Sequence, residues 1–147
     1  MPSPQTAVGR MSTTLNSEGV SKLRLILLRT FYVVIFVVLG KDAWPAIFTR
    51  GESWVPMSGI AFSFWAAFSA LAILGLRYPL KMLPLLLLQM LYKITWLLGV
   101  GLPLWKAGKL NETAHSLAVV CAVGVVLDLI VIPWRYVLDN YVLKPKN

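Results

Sequence analysis

Residues 82–104 form a run of 23 with one charge, Lys93, at the midpoint. A helix of that length covers the hydrocarbon core of a bilayer, and so apolar a run is foreign to the surface of a water-soluble domain. A lysine at the centre of a span costs about 2.5–3.5 kcal/mol on insertion scales, so it needs a partner or a task. The stretch 76–105 therefore decides the class, an all-α membrane protein crossing the bilayer more than once. Composition agrees with it. Of 147 residues 58% are apolar and only 14% charged, whereas soluble domains are about a quarter charged and a domain this small needs that polar surface to cover its outside.

Four spans are expected, over about 23–39, 57–76, 82–104 and 113–132. Residues 1–21, rich in Ser, Thr, Pro and Gly, read as a flexible cytoplasmic tail and not as a cleavable signal peptide, because no small-residue cleavage site follows the first apolar run. Arg24 and Arg29 lie in the early turns of span one, where their long stems reach headgroups. That helix is expected to run on through Lys41 and Asp42 and to stop near Pro45. The connection 40–56, in which Trp44 and Trp54 flank a short polar turn, reads as a segment lying on the membrane surface.

Span two has no charge in 20 residues, and Gly59, Ser63, Ala66 and Ala70 share one helix face, which invites close helix approach. Arg77 and Lys81 make a basic turn, and Pro84 is placed to kink span three slightly. Gly99, Gly101 and Pro103 are expected to end that helix, with Trp105 at the interface. Asn111 or Thr113 caps span four. Its Ala114, Ala118 and Ala122 form an expected close-packing face, and Leu117, Cys121, Gly124 and Asp128 form a second. Pro133 ends the span, and 134–147 reads as a cytoplasmic tail containing a short interfacial helix. The expected architecture is a four-transmembrane-helix bundle.

The net charge of +8 does not point to nucleic acid, because the basic residues are scattered between apolar runs. They read as topology determinants and contacts to membrane lipid. Nine fall on one side: Arg10, Lys22, Arg24, Arg29, Arg77, Lys81, Arg135, Lys144 and Lys146. Four, Lys41, Arg50, Lys106 and Lys109, fall on the other. Both termini are therefore expected in the cytoplasm of a bacterial-type inner membrane.

Lys93 and Asp128 are opposite charges well inside consecutive spans. On antiparallel helices their depths differ by about 10–12 Å. Lysine's stem covers part of that, and Gln89, one turn from Lys93, is placed to bridge the rest. The cluster Gln89, Lys93 and Asp128 fixes helix register, marks a path for a proton, ion or ligand, or reflects simple snorkelling of both charged side chains. His115 lies on the periplasmic side, about 20 Å along its helix from Asp128, too far for a dyad. No Ser/His/Asp set, carboxylate pair or phosphate loop stands at a usable spacing. Cys121 and His115 are each the only residue of their type, so no metal site and no cofactor is expected.

The run GLRYPLKMLPLLLLQMLYKITWL, followed by GLPLW and by IPWRYVLDNYV, resembles a family of small four-span bacterial inner-membrane proteins whose motifs have no assigned chemistry. More distantly, LRLILLR and the Gly40–Lys41 step resemble DoxX-like membrane proteins, some of which are small subunits of quinone-linked oxidoreductases. Neither resemblance carries over a catalytic residue. Three readings follow: a non-enzymatic protein acting through assembly with itself or another membrane protein; a small transporter, channel or proton-coupled component using Gln89, Lys93 and Asp128; and, from the DoxX-like resemblance alone, an accessory redox subunit.

Overall fold

The computed structural model describes residues 19–143. The expected N-terminal tail lies outside the described residues as far as residue 18, as do residues 144–147. The described chain is all-helical, with four helices of membrane-crossing length and a short C-terminal helix. It divides into two compact units. One runs to Met82 and resumes at Pro133; the other is Leu83–Ile132.

In the first unit, α1 spans Lys22–Thr49 and is 28 residues long. Ser21 caps it, its hydroxyl accepting from the Arg24 amide at 3.3 Å, which satisfies one of the donors a helix start leaves open. The helix passes through Pro45, contrary to the expected stop. Proline removes one intrahelical donor and bends the helix, but the turn before it is tied down. The Trp44 indole N–H donates to the Ser69 hydroxyl at 3.0 Å. Beyond the proline, the Thr49 hydroxyl donates to the Pro45 carbonyl at 2.8 Å and Trp44 stacks on Phe48. The expected surface segment over 40–56 thus shrinks to a single tight turn, Gly51–Ser53, beside which the Arg50 guanidinium covers the rings of Trp54 and Phe62 at 4.8 and 4.7 Å.

Helix α2, Pro56–Arg77, begins on a proline whose missing amide costs nothing at that position. Its buried face is Ala66, Phe68, Ser69, Ala72 and Gly75. Ser63 and Ala70, expected on the packing face, are exposed. The face that meets α1 is rotated from the expected one because it must receive Tyr32, a fully buried ring. That ring lies flat against Gly75, where any side chain would occupy its place, and its hydroxyl donates to the Pro79 carbonyl at 3.2 Å. The C-terminal helix α3 of this unit, Trp134–Val137, widens into a π-helical turn at Leu138–Leu143. The Tyr141 hydroxyl donates to the Leu80 carbonyl at 3.4 Å, so the tail sits at the end of the α1/α2 pair where α1 begins and α2 finishes.

In the second unit, α4 runs Leu83–Trp96, passes through a π-helical turn at Leu97–Gly101 and continues as Leu102–Lys106, a membrane-length stretch of 24 residues. Pro84 falls in its first turn, so no interior hydrogen bond is lost there and no kink is required. Gly99, Gly101 and Pro103 do not end the helix, contrary to expectation. The wider turn hands the Leu102 amide to the Leu97 carbonyl, and Pro103 then stands at the start of a fresh helical segment, where its missing donor is tolerated. The helix finally stops at Gly108, which holds φ +64°, a left-handed cap that favours glycine. Helix α5, Glu112–Val131, is capped by Asn111, whose side chain accepts from the Ala114 amide at 2.8 Å. Its buried face is Cys121, Gly124, Asp128 and Val131, which takes three residues of the second expected face but not Leu117, which is exposed, and Ala122 of the expected alanine face is exposed too.

Gly75→Ala is expected to lower the stability of the folded protein by about 1–3 kcal/mol, because the methyl group must displace the Tyr32 ring. Thermal unfolding in detergent measures it. Gly59→Ala, whose added carbon would meet only Trp54 at 3.8 Å, is expected to unfold near the wild-type temperature.

Candidate functional site

Three polar side chains meet between α4 and α5. Gln89 and Lys93 are one helical turn apart on α4, so both point the same way. Asp128 lies on α5, completely buried, while Lys93 is 7% exposed and Gln89 3%. The Lys93 Nζ stands 3.4 Å from Asp128 Oδ2, and the Gln89 Nε2 donates to Oδ1 at 3.4 Å. Each carboxylate oxygen thus has one partner. Both contacts are longer than a tight hydrogen bond, so Lys93 and Asp128 interact chiefly through the attraction of opposite charges in a poorly screened setting.

The sequence brings together the right three residues but with a different division of labour. Gln89 does not bridge a gap between lysine and aspartate; it and Lys93 grip separate oxygens of the same carboxylate. The expected depth offset is absorbed by the path of the lysine stem. Gly124 sits one turn before Asp128 on α5, and a side chain there would collide with the Lys93 ammonium and its Cε. The absent side chain lets the lysine lie across α5 and reach down to the aspartate. Gly124 was placed on the same helix face as Asp128 by the sequence, without a part in the site. Its position four residues from Asp128 was visible, but not its role as a seat for Lys93.

One atom in the cluster is left over. The Gln89 Oε1 is buried and has no hydrogen-bond partner. Turning the amide over would direct that oxygen at the carboxylate, so the orientation with Nε2 on Asp128 is the one the charges require.

His115 is exposed in the first turn of α5, at the opposite end of that helix from Asp128, and joins no cluster. Cys121 is buried on the α5 packing face as a free thiol. Among the described residues no group of three His, Cys, Asp or Glu side chains gathers in a way that could hold a metal ion. In the first unit, Ser69 is engaged with the Trp44 indole and with the Ala66 carbonyl at 2.8 Å, which makes it a packing serine.

A second polar feature lies in the first unit. A cavity of about 490 Å³ opens between the start of α1 and the C-terminal tail. Ser21, Arg24, Arg135, Tyr136, Asp139 and Asn140 supply its polar lining. Sequence reasoning had no means of finding it, since it joins residues more than a hundred positions apart.

Compared with protein-family models, with curated proteins and with solved structures, the chain matches none. The site must therefore be read from its own chemistry.

Gln89→Leu is expected to cost about 1 kcal/mol, the size of a hydrogen bond between membrane helices, and Gly124→Val to cost more, because it evicts the Lys93 side chain from its seat. Denaturation in mixed detergent micelles reads both. A Gly124→Val protein as stable as wild type would show that Lys93 does not depend on that glycine.

Proposed function

We propose that the chain is a non-enzymatic multi-pass protein of a bacterial inner membrane, with both termini in the cytoplasm, that acts by assembling with itself or with another membrane protein. The observation that carries this reading is the small-residue surface left uncovered on the spans. Ser63 and Ala70 of α2 and Ala122 of α5 are exposed, and no span has more than 28% of its most apolar stretch buried. Lipid covers apolar surface as well as protein does, so large exposed side chains need no partner. Small residues differ: they let a second helix backbone come close and gain packing that lipid tails do not supply. Meanwhile the charges of α4 and α5 satisfy one another and present no reactive group.

The orientation rests on Lys22, Arg24, Arg77, Lys81 and Arg135, which belong to the one end of the first unit where the tail meets the α2 terminus. Basic residues concentrated at one end of membrane helices favour the cytoplasmic side.

Ala70→Leu with Ala122→Leu is expected to lower assembly without lowering folded yield. The readout is the number of labelled chains per liposome at rising lipid dilution, together with co-purification of membrane proteins in mild detergent. A wild-type chain that is monomeric at every dilution, and that retains no partner which the double variant loses, contradicts the reading.

A second reading is favoured by the unpartnered Gln89 Oε1. A buried acceptor beside an ion pair is suited to a passing water or cation, as in proton-coupled membrane proteins. Proteoliposomes with an enclosed pH indicator test it. Proton flux that Asp128→Asn abolishes at unchanged folded yield supports a path, and wild-type vesicles no leakier than empty ones remove it.

A further inference from the structure

We propose that the cavity between the start of α1 and the C-terminal tail binds a phospholipid headgroup, with Arg24 and Arg135 on the phosphodiester and Asp139 on the headgroup's terminal donor, a primary ammonium or a hydroxyl. Arg24 occupies the first turn of a membrane-length helix, and Arg135 comes four residues after the last residue of another, in the short helix that follows it, so both belong at headgroup depth. Arg24 is half-buried and Arg135 exposed. Neither guanidinium is held by a carboxylate among the described residues, where the ion pairs are Lys41–Asp42 and Lys93–Asp128. Guanidinium groups match phosphate oxygens through paired, charge-assisted hydrogen bonds. The open amides at the start of α1 add positive potential on the same side.

Asp139 gives the site its selectivity. A carboxylate weakens a site meant for a bare anion, but it suits a headgroup carrying phosphate at one position and an N–H or O–H donor at another. The Asn140 amide donates to the Tyr136 carbonyl at 2.9 Å, so its oxygen is the end that remains to accept beside Asp139. The volume of about 490 Å³ lies within the range of small-ligand sites. Acyl chains have apolar surface to follow as well: Leu23, Ile26 and Leu27, near Arg24 in sequence, and Leu138, next to Asp139, are exposed. Phosphatidylethanolamine and phosphatidylglycerol both carry the required donor. Phosphatidylcholine, with its quaternary ammonium, has none, and free phosphate lacks the chains.

Native mass spectrometry of the full chain in detergent tests the site, titrated with phosphatidylethanolamine, phosphatidylglycerol or phosphatidylcholine of identical chains, and separately with inorganic phosphate. One or both donor-bearing lipids are expected to bind about tenfold more tightly than phosphatidylcholine, the size of one hydrogen bond to a charged group. Arg24→Gln with Arg135→Gln should weaken all three lipids by about tenfold or more. Asp139→Asn should keep binding while erasing the preference over phosphatidylcholine. Lys106→Gln with Lys109→Gln, in the other unit, should change nothing. Equal affinity for the three lipids in wild type, a preference that survives Asp139→Asn, or displacement of bound lipid by inorganic phosphate each overturns the proposal. Should the double arginine variant fail to fold, the selectivity of Asp139→Asn decides alone.

Discussion

A carboxylate placed among membrane helices is tolerable only when its charge is met at contact distance, and Asp128 imposes that condition on the whole second unit. Its two oxygens fix where Gln89 and Lys93 must stand, and these, one turn apart on α4, fix the rotation of that helix against α5. Gly124 suits the same demand, since the Lys93 stem lies where a side chain at that position would stand. Burying an ion pair contributes little net stability, because desolvation offsets most of the attraction. What it supplies is specificity: sliding or rotating either helix separates the charges inside hydrocarbon, and that is expensive.

The first unit is held differently. No charge pairs α1 with α2. Their register comes from a ring against a glycine, Tyr32 on Gly75, and from a single indole hydrogen bond, Trp44 to Ser69. Lipid is as apolar as leucine, so apolar burial alone does not draw helices together, and close fit and sparse hydrogen bonds take over. The two ends of the described chain close this unit at its basic end, where Arg24 and Arg135 line one cavity.

These two modes explain what was legible beforehand. Spans were plain, because length and hydropathy alone decide whether a helix crosses a bilayer. The cluster Gln89, Lys93 and Asp128 was also plain, since charges deep in such spans must find each other. The packing face of α2 was not. On a soluble helix the polar side marks the outside, but here lipid-facing and protein-facing positions are equally apolar, so periodicity was silent. Small residues then suggested Gly59, Ser63, Ala66 and Ala70, whereas the ring of Tyr32 demanded Gly75. Proline and glycine also misled: Pro45 and the Gly99–Pro103 stretch ended helices by local rules, yet a neighbouring hydrogen bond and a widened turn carried those helices through.

On the proposed reading the intramembrane charges serve to join α4 to α5. A double-mutant cycle on the pair reads that claim directly, using unfolding free energies of Lys93→Met, Asp128→Asn and the combination. Removing one partner of a buried pair is expected to cost about 3 kcal/mol, and the combination should recover most of the loss. Single and double losses that simply add would mean the two charges do not stabilise each other, and the account would fail.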